Sequence, residues 1–304
     1  MGTPDFSVPV LEGLIENYNV VGVVSQPDKE VGRKRVLTPT PTKEVALKHN
    51  IPVIQPIKIR KEFQDVLDLK PDLIVTCAYG QIIPKEILDC PKLGCINVHG
   101  SLLPKLRGGA PIHHAIIDGY EETGITIMYM DVGMDSGDII SQRSIKIEDS
   151  DNVGLLWDKM SLLGRDLLLD TLPSIIDGTN ERIKQDESLV TFGLNIKREE
   201  EHIDFNKTSR EVFNQIRGLN PWPSANAILD DQEMKIYSSV IGDRTFNNKT
   251  NGEICDVTKK GISVKTEDGE IILTDIKPFG KKRMDAYSYV NGVGKDNLIG
   301  KVFK

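Results

Sequence analysis

Short apolar runs that alternate with helical patterns dominate the first half of this 304-residue chain. Runs rich in β-branched residues lie at residues 20–25, 72–78, 94–99 and 124–131. Helical patterns lie at residues 8–18, 42–50, 60–69 and 111–119, and a longer one spans 153–177. Strands that alternate with helices form βαβ units, so the first half predicts an α/β fold with a doubly wound, mostly parallel sheet.

The first seven residues, MGTPDFS, form a turn pattern that leads directly into the first helical pattern. A doubly wound domain normally places a strand before such a turn, and the sequence provides no residues for it here. A start assigned at an internal Met, a truncated chain and a sheet that lacks this strand would each give this pattern.

The second half of the chain changes in character after residue 180. Residues 181–199 are polar and charge-rich and predict a linker between a domain of residues 1–180 and a domain of residues 200–304. A helix is predicted at 209–219 with Ser209 as its N-terminal cap. Five strand-like runs follow at about ten-residue spacing with Gly and Asp-Gly between them, which favours hairpins and a small β-barrel.

The composition is that of a soluble globular protein, with 39% hydrophobic and 27% charged residues. No run reaches the ~18 to 20 apolar residues that span a bilayer, and no secretory leader pattern opens the chain. The four cysteines form no CxxC pair, which favours reduced thiols. We expect a cytoplasmic monomer without membrane contact.

The net charge of −7 argues against a protein that coats nucleic acid through a general positive field. Residues 200–304 carry 16 basic and 16 acidic groups, so the whole of this charge belongs to the first 199 residues. Any polyanionic partner must therefore be met by local basic patches.

Three polar residues are predicted at strand ends, where open α/β sheets bind their ligands. Asn97 and His99 end one predicted strand, and Asp135 follows the next one in a loop that also contains Asp131 and Asp138.

An Asn, His and Asp set without a Ser or Cys nucleophile suits acyl transfer with no covalent enzyme intermediate. Histidine can move protons at neutral pH, and an Asn amide can donate to a developing oxyanion. Aspartate can fix the imidazole tautomer or take a proton through water. Spacing alone equally allows a strand cap and an ordinary turn.

Two short basic clusters are candidates for phosphate contacts. Arg33, Lys34 and Arg35 lie in a Pro- and Thr-rich segment, and Lys281, Lys282 and Arg283 lie in the second half. Both clusters are equally compatible with solvated charge runs.

The sequence gives little indication of a metal-binding or nucleotide-binding site. His113 and His114 are adjacent on a predicted helix and do not share a face, so we expect no metal. The chain has no GxGxxG after a strand and no GxxxxGK[ST], which disfavours dinucleotide-binding and P-loop proteins.

Several long stretches resemble the methionyl-tRNA formyltransferase family. They are MGTPDFSVPVLEGL, VVSQPDKEVGRKR, INVHGSLLPKLRGGAPIHHAI, TGITIMYMDVGMDSGDII and FNQIRGLNPWP, which together extend over nearly the whole chain. The resemblance implies a Rossmann-like formyltransferase domain followed by a small OB-like β-barrel domain. It implies transfer of the formyl group of 10-formyltetrahydrofolate to methionyl initiator tRNA, for translation initiation.

The resemblance also implies roles for individual residues. Asn97, His99 and Asp135 match the catalytic positions of the family, with Asn97 and His99 on the oxyanion and Asp135 acting on His99 and the attacking amine. The stretch SLLP, which is Ser101, Leu102, Leu103 and Pro104, matches the folate-binding segment. The two basic clusters would contact tRNA.

Two other functions compete with this interpretation. A folate-dependent formyltransferase could act on another amine, such as an amino sugar nucleotide, although such relatives should lack the GRKR segment or the second domain. A non-enzymatic RNA-binding protein would not need Asn97, His99 and Asp135 together.

Overall fold

The computed structural model describes residues 1–32 and 34–304. The chain forms two compact units, each built from several segments. The first unit comprises Met1–Pro111, Glu122–Lys146 and Trp157–Leu194, and the second comprises Ile112–Glu121, Ile147–Leu156 and Asn195–Lys304. The segment predicted as a linker is therefore divided, because its residues up to Leu194 pack with the first unit.

The helices and strands follow in chain order. The helices are α1 (Val8–Asn17), α2 (Pro41–Lys48), α3 (Gln64–Asp68), α4 (Lys85–Leu88), α5 (Pro111–Ile117), α6 (Val153–Ile176), α7 (Ser209–Gly218) and α8 (Ala286–Val293). The strands of the first unit are β1 (Val23–Val24), β2 (Lys29–Val31), β3 (Val36–Thr38), β4 (Val53–Ile54), β5 (Ile74–Thr76), β6 (Cys95–His99), β7 (Glu122–Tyr129) and β8 (Ile139–Lys146). Those of the second unit are β9 (Ala225–Leu229), β10 (Gln232–Ile241), β11 (Ile254–Thr258), β12 (Gly261–Lys265), β13 (Glu270–Pro278) and β14 (Met284–Asp285).

The first unit contains a two-stranded sheet of β1 and β4 and a four-stranded sheet of β5 to β8, with parallel and antiparallel pairs. β1 pairs with β4 and β5 pairs with β6 in parallel, as the βαβ pattern predicted. β7 and β8 instead run antiparallel to their neighbours, in the order β5-β6-β7-β8. The prediction of a mostly parallel sheet missed β8, because its sequence IISQRSIK is polar from Ser141 to Ser144 and gives no strand pattern. The connection from β7, residues 130–138, is too short for a crossover helix, so the two strands are antiparallel.

The first two residues occupy the gap between β1 and β5. The backbone nitrogen of Gly2 donates to Val24 O at 2.9 Å, and Cys77 N donates to Met1 O at 2.9 Å. Beyond Met1, β1 and β5 are not paired with each other, and a cavity of about 480 Å³ lies between them and the neighbouring helices.

The second unit packs α7 and α8 on an antiparallel sheet with the order β11-β12-β13-β10-β9, and β14 pairs with β13. Its core contains Val212 and Ile216 of α7, and Ile236 and Leu273 of the sheet. The five strands match the predicted runs, and no pairing between β11 and β9 closes the described sheet into a full barrel.

The N-terminal cap of α7 is Thr208 and not Ser209. Thr208 has an extended backbone, and its hydroxyl accepts from Glu211 N while the Glu211 carboxylate accepts from Thr208 N. Ser209 lies inside the helix and bonds to Asp268. The prediction was wrong by one residue, because two adjacent hydroxyl residues offer equivalent caps and the position of Glu211 decides between them.

Among the described residues, no helix combines the length and hydropathy that a bilayer crossing requires.

Candidate active site

β6 presents Asn97 and His99 on one face, since residues two apart in a strand point to the same side. The strand lies between β5, which aligns Thr76 with Asn97, and β7, which aligns Thr126 with His99. The predicted alternation is therefore present, and the two side chains have fixed neighbours on both sides.

Thr76 orients the side-chain amide of Asn97. Its hydroxyl lies 2.8 Å from Asn97 Oδ1 and serves as the donor there. Thr76 is 3% exposed, so this contact is protected from water. Because the amide oxygen is engaged, Asn97 Nδ2 is left as the atom that can donate to a ligand.

The imidazole of His99 is nearly buried and is held by the backbone of the following loop. His99 Nε2 lies 3.1 Å from Leu106 O, and a carbonyl can only accept, so Nε2 carries the hydrogen in this contact. Nδ1 faces Asp135 Oδ2 at 3.7 Å, which is too long for a direct hydrogen bond. The Leu106 carbonyl therefore fixes the tautomer, and Nδ1 is the nitrogen that remains for proton transfer.

Asp135 reaches His99 from a loop with an uncommon backbone conformation. Its φ angle is +47°, in the left-handed region that costs energy for a residue with a Cβ. Gly108 N donates to Asp135 Oδ2 at 2.8 Å and aims the carboxylate at the imidazole. Gly137 closes the loop, because a Cβ there would lie 1.9 Å from Tyr129 O.

The other two carboxylates of this loop are engaged elsewhere. Asp131 Oδ1 accepts from Gly133 N and from the Ser136 hydroxyl, so it shapes the turn. Asp138 pairs with Arg182 at 3.2 Å. Of the three candidates in the loop, Asp135 is the one that faces His99.

The predicted folate segment is a loop whose backbone is held by hydrogen bonds to neighbouring side chains. Leu103 N donates to the Thr126 hydroxyl at 3.1 Å, and that hydroxyl donates to Ser101 O at 2.7 Å. Gln142 Nε2 donates to Leu103 O at 2.8 Å. Ser101 and Leu103 are buried, whereas Leu102 and Pro104 are partly exposed. The apolar surface that this segment offers to a ligand therefore comes from Leu102 and Pro104.

The cysteines near the site are not activated. Cys95 opens β6, and burial raises the pKa of its thiol to about 12. Burial also raises the pKa of Cys77 to about 12. Neither forms a thiolate at neutral pH, in keeping with chemistry without a cysteine nucleophile. Within residues 1–32 and 34–304, no group of three or more His, Cys, Asp or Glu side chains could hold a metal ion.

The first basic cluster lies in a hairpin of β2 and β3. Lys34 and Arg35 are exposed, and Arg35 pairs with Glu30 at 2.6 Å. Arg33 lies outside the described residues. The apolar residues Val31, Val36 and Leu37 are also exposed on this hairpin.

The second basic cluster lies between β13 and β14. Lys281, Lys282 and Arg283 are all exposed. Arg283 pairs with Asp275 at 2.6 Å and covers the Tyr237 ring at 4.1 Å. Lys281 Nζ lies 5.2 Å from the Tyr289 ring centroid. These contacts engage Arg283 most strongly and leave Lys282 without a described ion pair.

Sequence reasoning missed the groups that hold the predicted residues. Thr76 and the Leu106 carbonyl fix Asn97 and His99, and Gln185 bonds to the Asp135 loop. Gln185 lies in the segment interpreted as a linker, where its polar surroundings gave no signal of a partner 50 residues away.

Two family models match the chain. The model "Formyl transferase" matches residues 1–172, and "Formyl transferase, C-terminal domain" matches residues 195–294. The methionyl-tRNA formyltransferase of Staphylococcus aureus strain MW2 is 56% identical over 304 residues, which cover 99% of this chain and 97% of the relative.

Solved structures share the fold at lower identity. An N-formyltransferase from Helicobacter canadensis, solved with folinic acid and dTDP-3-aminofucose, has a TM-score of 0.69 and 23% identity, covering 91% of this chain and 97% of its own. WlaRD, a sugar 3N-formyl transferase solved with dTDP and 5-N-formyl-THF, has a TM-score of 0.67 and 22% identity, covering 92% and 97%.

Proposed function

The chain belongs to the formyltransferase family, and from that premise we propose that Asn97, His99 and Asp135 move a formyl group from 10-formyltetrahydrofolate to methionyl initiator tRNA. The enzyme formylates initiator tRNA, a conclusion carried by the relative named for that reaction, 56% identical over nearly the full length of both chains. The assignment of roles to residues rests on the site geometry.

In this reaction the α-amino nitrogen of the methionyl group attacks the formyl carbon, and the bond between that carbon and N10 of the folate breaks. The amine loses one proton and N10 gains one, so the site must stabilise an oxyanion and carry a proton. Asn97 Nδ2 is oriented to donate to the oxyanion, because Thr76 holds its oxygen.

His99 and Asp135 are suited to carry the proton. His99 Nε2 is committed to Leu106 O, so Nδ1 takes the proton of the amine with the help of the Asp135 carboxylate 3.7 Å away. In the imidazolium form, Nδ1 donates to the oxyanion and then returns its proton to N10. No resident metal or covalent enzyme intermediate is required by this scheme.

The folate is expected to lie on the loop of residues 101–104. Leu102 and Pro104 offer partly exposed apolar surface there, and Thr126 and Gln142 fix the backbone beneath it. This support for folate binding is independent of the Asn97, His99 and Asp135 geometry.

We assign the tRNA contacts to the two basic clusters, which are Arg33, Lys34 and Arg35, and Lys281, Lys282 and Arg283. Exposed cations can neutralise the phosphates of tRNA. Because the net charge of the chain is −7, its overall electrostatic field does not attract tRNA, and local basic clusters must do so. The three proposed catalytic residues come from one chain, so a single copy can act, and we place the reaction in the cytoplasm.

The deciding experiment measures formyl transfer from 10-formyltetrahydrofolate to charged initiator tRNA for the wild type, Asn97→Ala and His99→Ala. Each variant should lose at least about 10²-fold in kcat/KM, because each removes a group that acts in the transition state. Wild type that is inactive on tRNA but formylates an amino sugar nucleotide would show the competing function. A variant with a near-normal rate would disprove the role given to that residue.

A further inference from the structure

The segment from residue 181 to residue 194, which we call the strap, runs from the end of α6 across the first unit. Near its start, Ile183 exchanges both backbone hydrogen bonds with Ile139, at 2.8 and 2.9 Å. Near its end, Arg107 N donates to Thr191 O at 2.9 Å, and Gly193 N donates to Arg107 O at 2.8 Å. The strap is therefore anchored on both sides of the loop that carries Asp135.

Gln185 lies between these anchors and clamps that loop. Its Nε2 donates to Asp135 O and to Gly137 O, each at 2.8 Å. Its Oε1 accepts from Arg107 Nε at 3.0 Å. Both N–H groups and the oxygen of one amide are thus used, and no other side chain of this size offers two donors and an acceptor in that arrangement.

Arg107 fixes the other side of the clamp. It is 5% exposed, and its guanidinium is bidentate to Glu187 of the strap, at 2.8 and 3.3 Å. The next residue, Gly108, donates its N–H to Asp135 Oδ2 at 2.8 Å. The Asp135 backbone is therefore held by the strap, and the Asp135 carboxylate is held by the residue that follows Arg107.

The conformation of Asp135 makes this clamp necessary. A non-glycine residue with φ of +47° persists only where its surroundings determine it, and the loop contains Gly133 and Gly137, which favour no single conformation. Without the two carbonyl contacts, the loop can relax toward an ordinary backbone and withdraw the carboxylate from His99. A displacement of about 1 Å from the productive geometry can cost about 10² in rate.

We propose that Gln185 is a positioning residue for the transfer reaction, holding Asp135 in its left-handed conformation and thereby aiming its carboxylate at His99. The inference rests on the proposed function, because it requires Asp135 to act in the reaction. It also gives the strap a role in catalysis in place of that of a passive linker.

The test uses the full-length enzyme and Gln185→Met, which keeps the length of the side chain and removes all three hydrogen bonds. We expect kcat to fall about 10- to 100-fold while the KM values for tRNA and folate change less than about threefold. Ser188→Ala is the matched control, because its hydroxyl bonds to Asp186 within the strap and does not touch the loop. An unchanged kcat in Gln185→Met would overturn the proposal.

A double-mutant cycle separates positioning from general destabilisation. Gln185→Met in an Asp135→Asn background should cause no further loss in single-turnover rate, measured with enzyme in excess over tRNA. An equal loss in both backgrounds would show a merely structural role and overturn the proposal. If Asp135→Asn alone keeps the full rate, the function assigned to Asp135 fails first and the positioning role fails with it.

Gln185→Glu keeps the test decisive if Gln185→Met does not fold. The carboxylate still accepts from Arg107, but it faces the carbonyls of Asp135 and Gly137 without a donor. We expect at least the same loss of kcat, and a normal kcat in a folded Gln185→Glu enzyme would contradict the clamp.

Discussion

Thr76 holds the oxygen of the Asn97 amide, which leaves Nδ2 as the donor in the proposed reaction. The Thr76 hydroxyl donates to Asn97 Oδ1 at 2.8 Å, the shortest of its three contacts, and β5 places it opposite Asn97 in the parallel register. The amide could otherwise turn its oxygen toward a developing oxyanion, where it would repel charge. The residue that makes Asn97 a donor is therefore on a different strand.

Thr76→Val should reduce kcat about tenfold, because the isosteric methyl group cannot hold the Asn97 oxygen and the amide donor is no longer fixed. The measurement is single-turnover formyl transfer, with the KM for tRNA as a check on binding. A normal rate in a folded Thr76→Val enzyme would mean that other contacts orient the amide.

Thr123→Val is the matched control for this substitution. Thr123 is also buried on a strand of the same sheet, and among the described residues its hydroxyl has no hydrogen-bond partner. The change should leave the rate intact and raise the free energy of unfolding by about 1 kcal/mol, since it removes an unsatisfied buried group.

The sequence predicts Asn97, His99 and Asp135 as a candidate site, but it does not predict the residues that hold them. Asn97 and His99 lie two apart at a strand end, a local pattern with a direct structural meaning. Thr76, the Leu106 carbonyl and Gln185 act through contacts that only the folded chain creates. A backbone carbonyl has no sequence signature at all, and Gln185 lies in a segment whose polarity is typical of a linker.

Local periodicity in the sequence predicted which helices and strands exist better than it predicted how the strands pair. The patterns for α1, α2 and α5 matched their observed helices closely, because amphipathic spacing and Pro or Gly boundaries are local features. β8 was missed, and with it the antiparallel half of the sheet. The strands β2 and β3 were missed too, because three exposed residues each give no core-facing pattern.

Helix α5 contains a buried histidine whose titration should be visible in the pH dependence of stability. Burial lowers the pKa of His113 to about 4, against an ordinary value of 6.5. Between pH 6.5 and pH 4 the unfolded chain binds the proton and the folded chain does not, so stability falls as the pH is lowered through this window. The loss between pH 7 and pH 5 should be about 2 kcal/mol from this residue.

His113→Gln should flatten that dependence, as measured by urea unfolding at pH 7 and pH 5. His49→Gln, at an exposed position directly after α2, serves as the control and should keep the parent slope. If His113→Gln and the parent lose stability equally between the two pH values, His113 is not the group that titrates.

Across the chain as a whole, the most unusual feature is the divided sheet of the first unit. β1 and β5 flank a cavity of about 480 Å³ lined by apolar side chains, among them Val10, Leu11, Val23, Leu69 and Ile74. The Met1 amino group donates to Val75 O at 2.6 Å, and burial lowers its pKa to about 6. The Met1 amino group thus donates a hydrogen bond where a backbone amide of a strand would do so. Unlike an amide, a charged amine loses favourable hydration when it is buried.

A variant of this 304-residue chain with about five apolar residues added ahead of Met1 should be more stable than the 304-residue chain itself. It would convert the buried amine into an amide that keeps the bond to Val75, and at ~3.3 Å per residue it would run the length of the gap between β1 and β5. The added residues should all be β-branched, because a strand that is buried on both faces is apolar along its whole length. Filling the cavity recovers about 24 cal/mol per Å³, and ordering each residue costs about 1 to 2 kcal/mol. We expect a net gain on the order of 3 kcal/mol in the free energy of unfolding.

Urea unfolding of this variant is compared with an extension of equal length made of Gly and Ser, which cannot fill the cavity. Equal stability of the two variants would show that the cavity does not accept a strand.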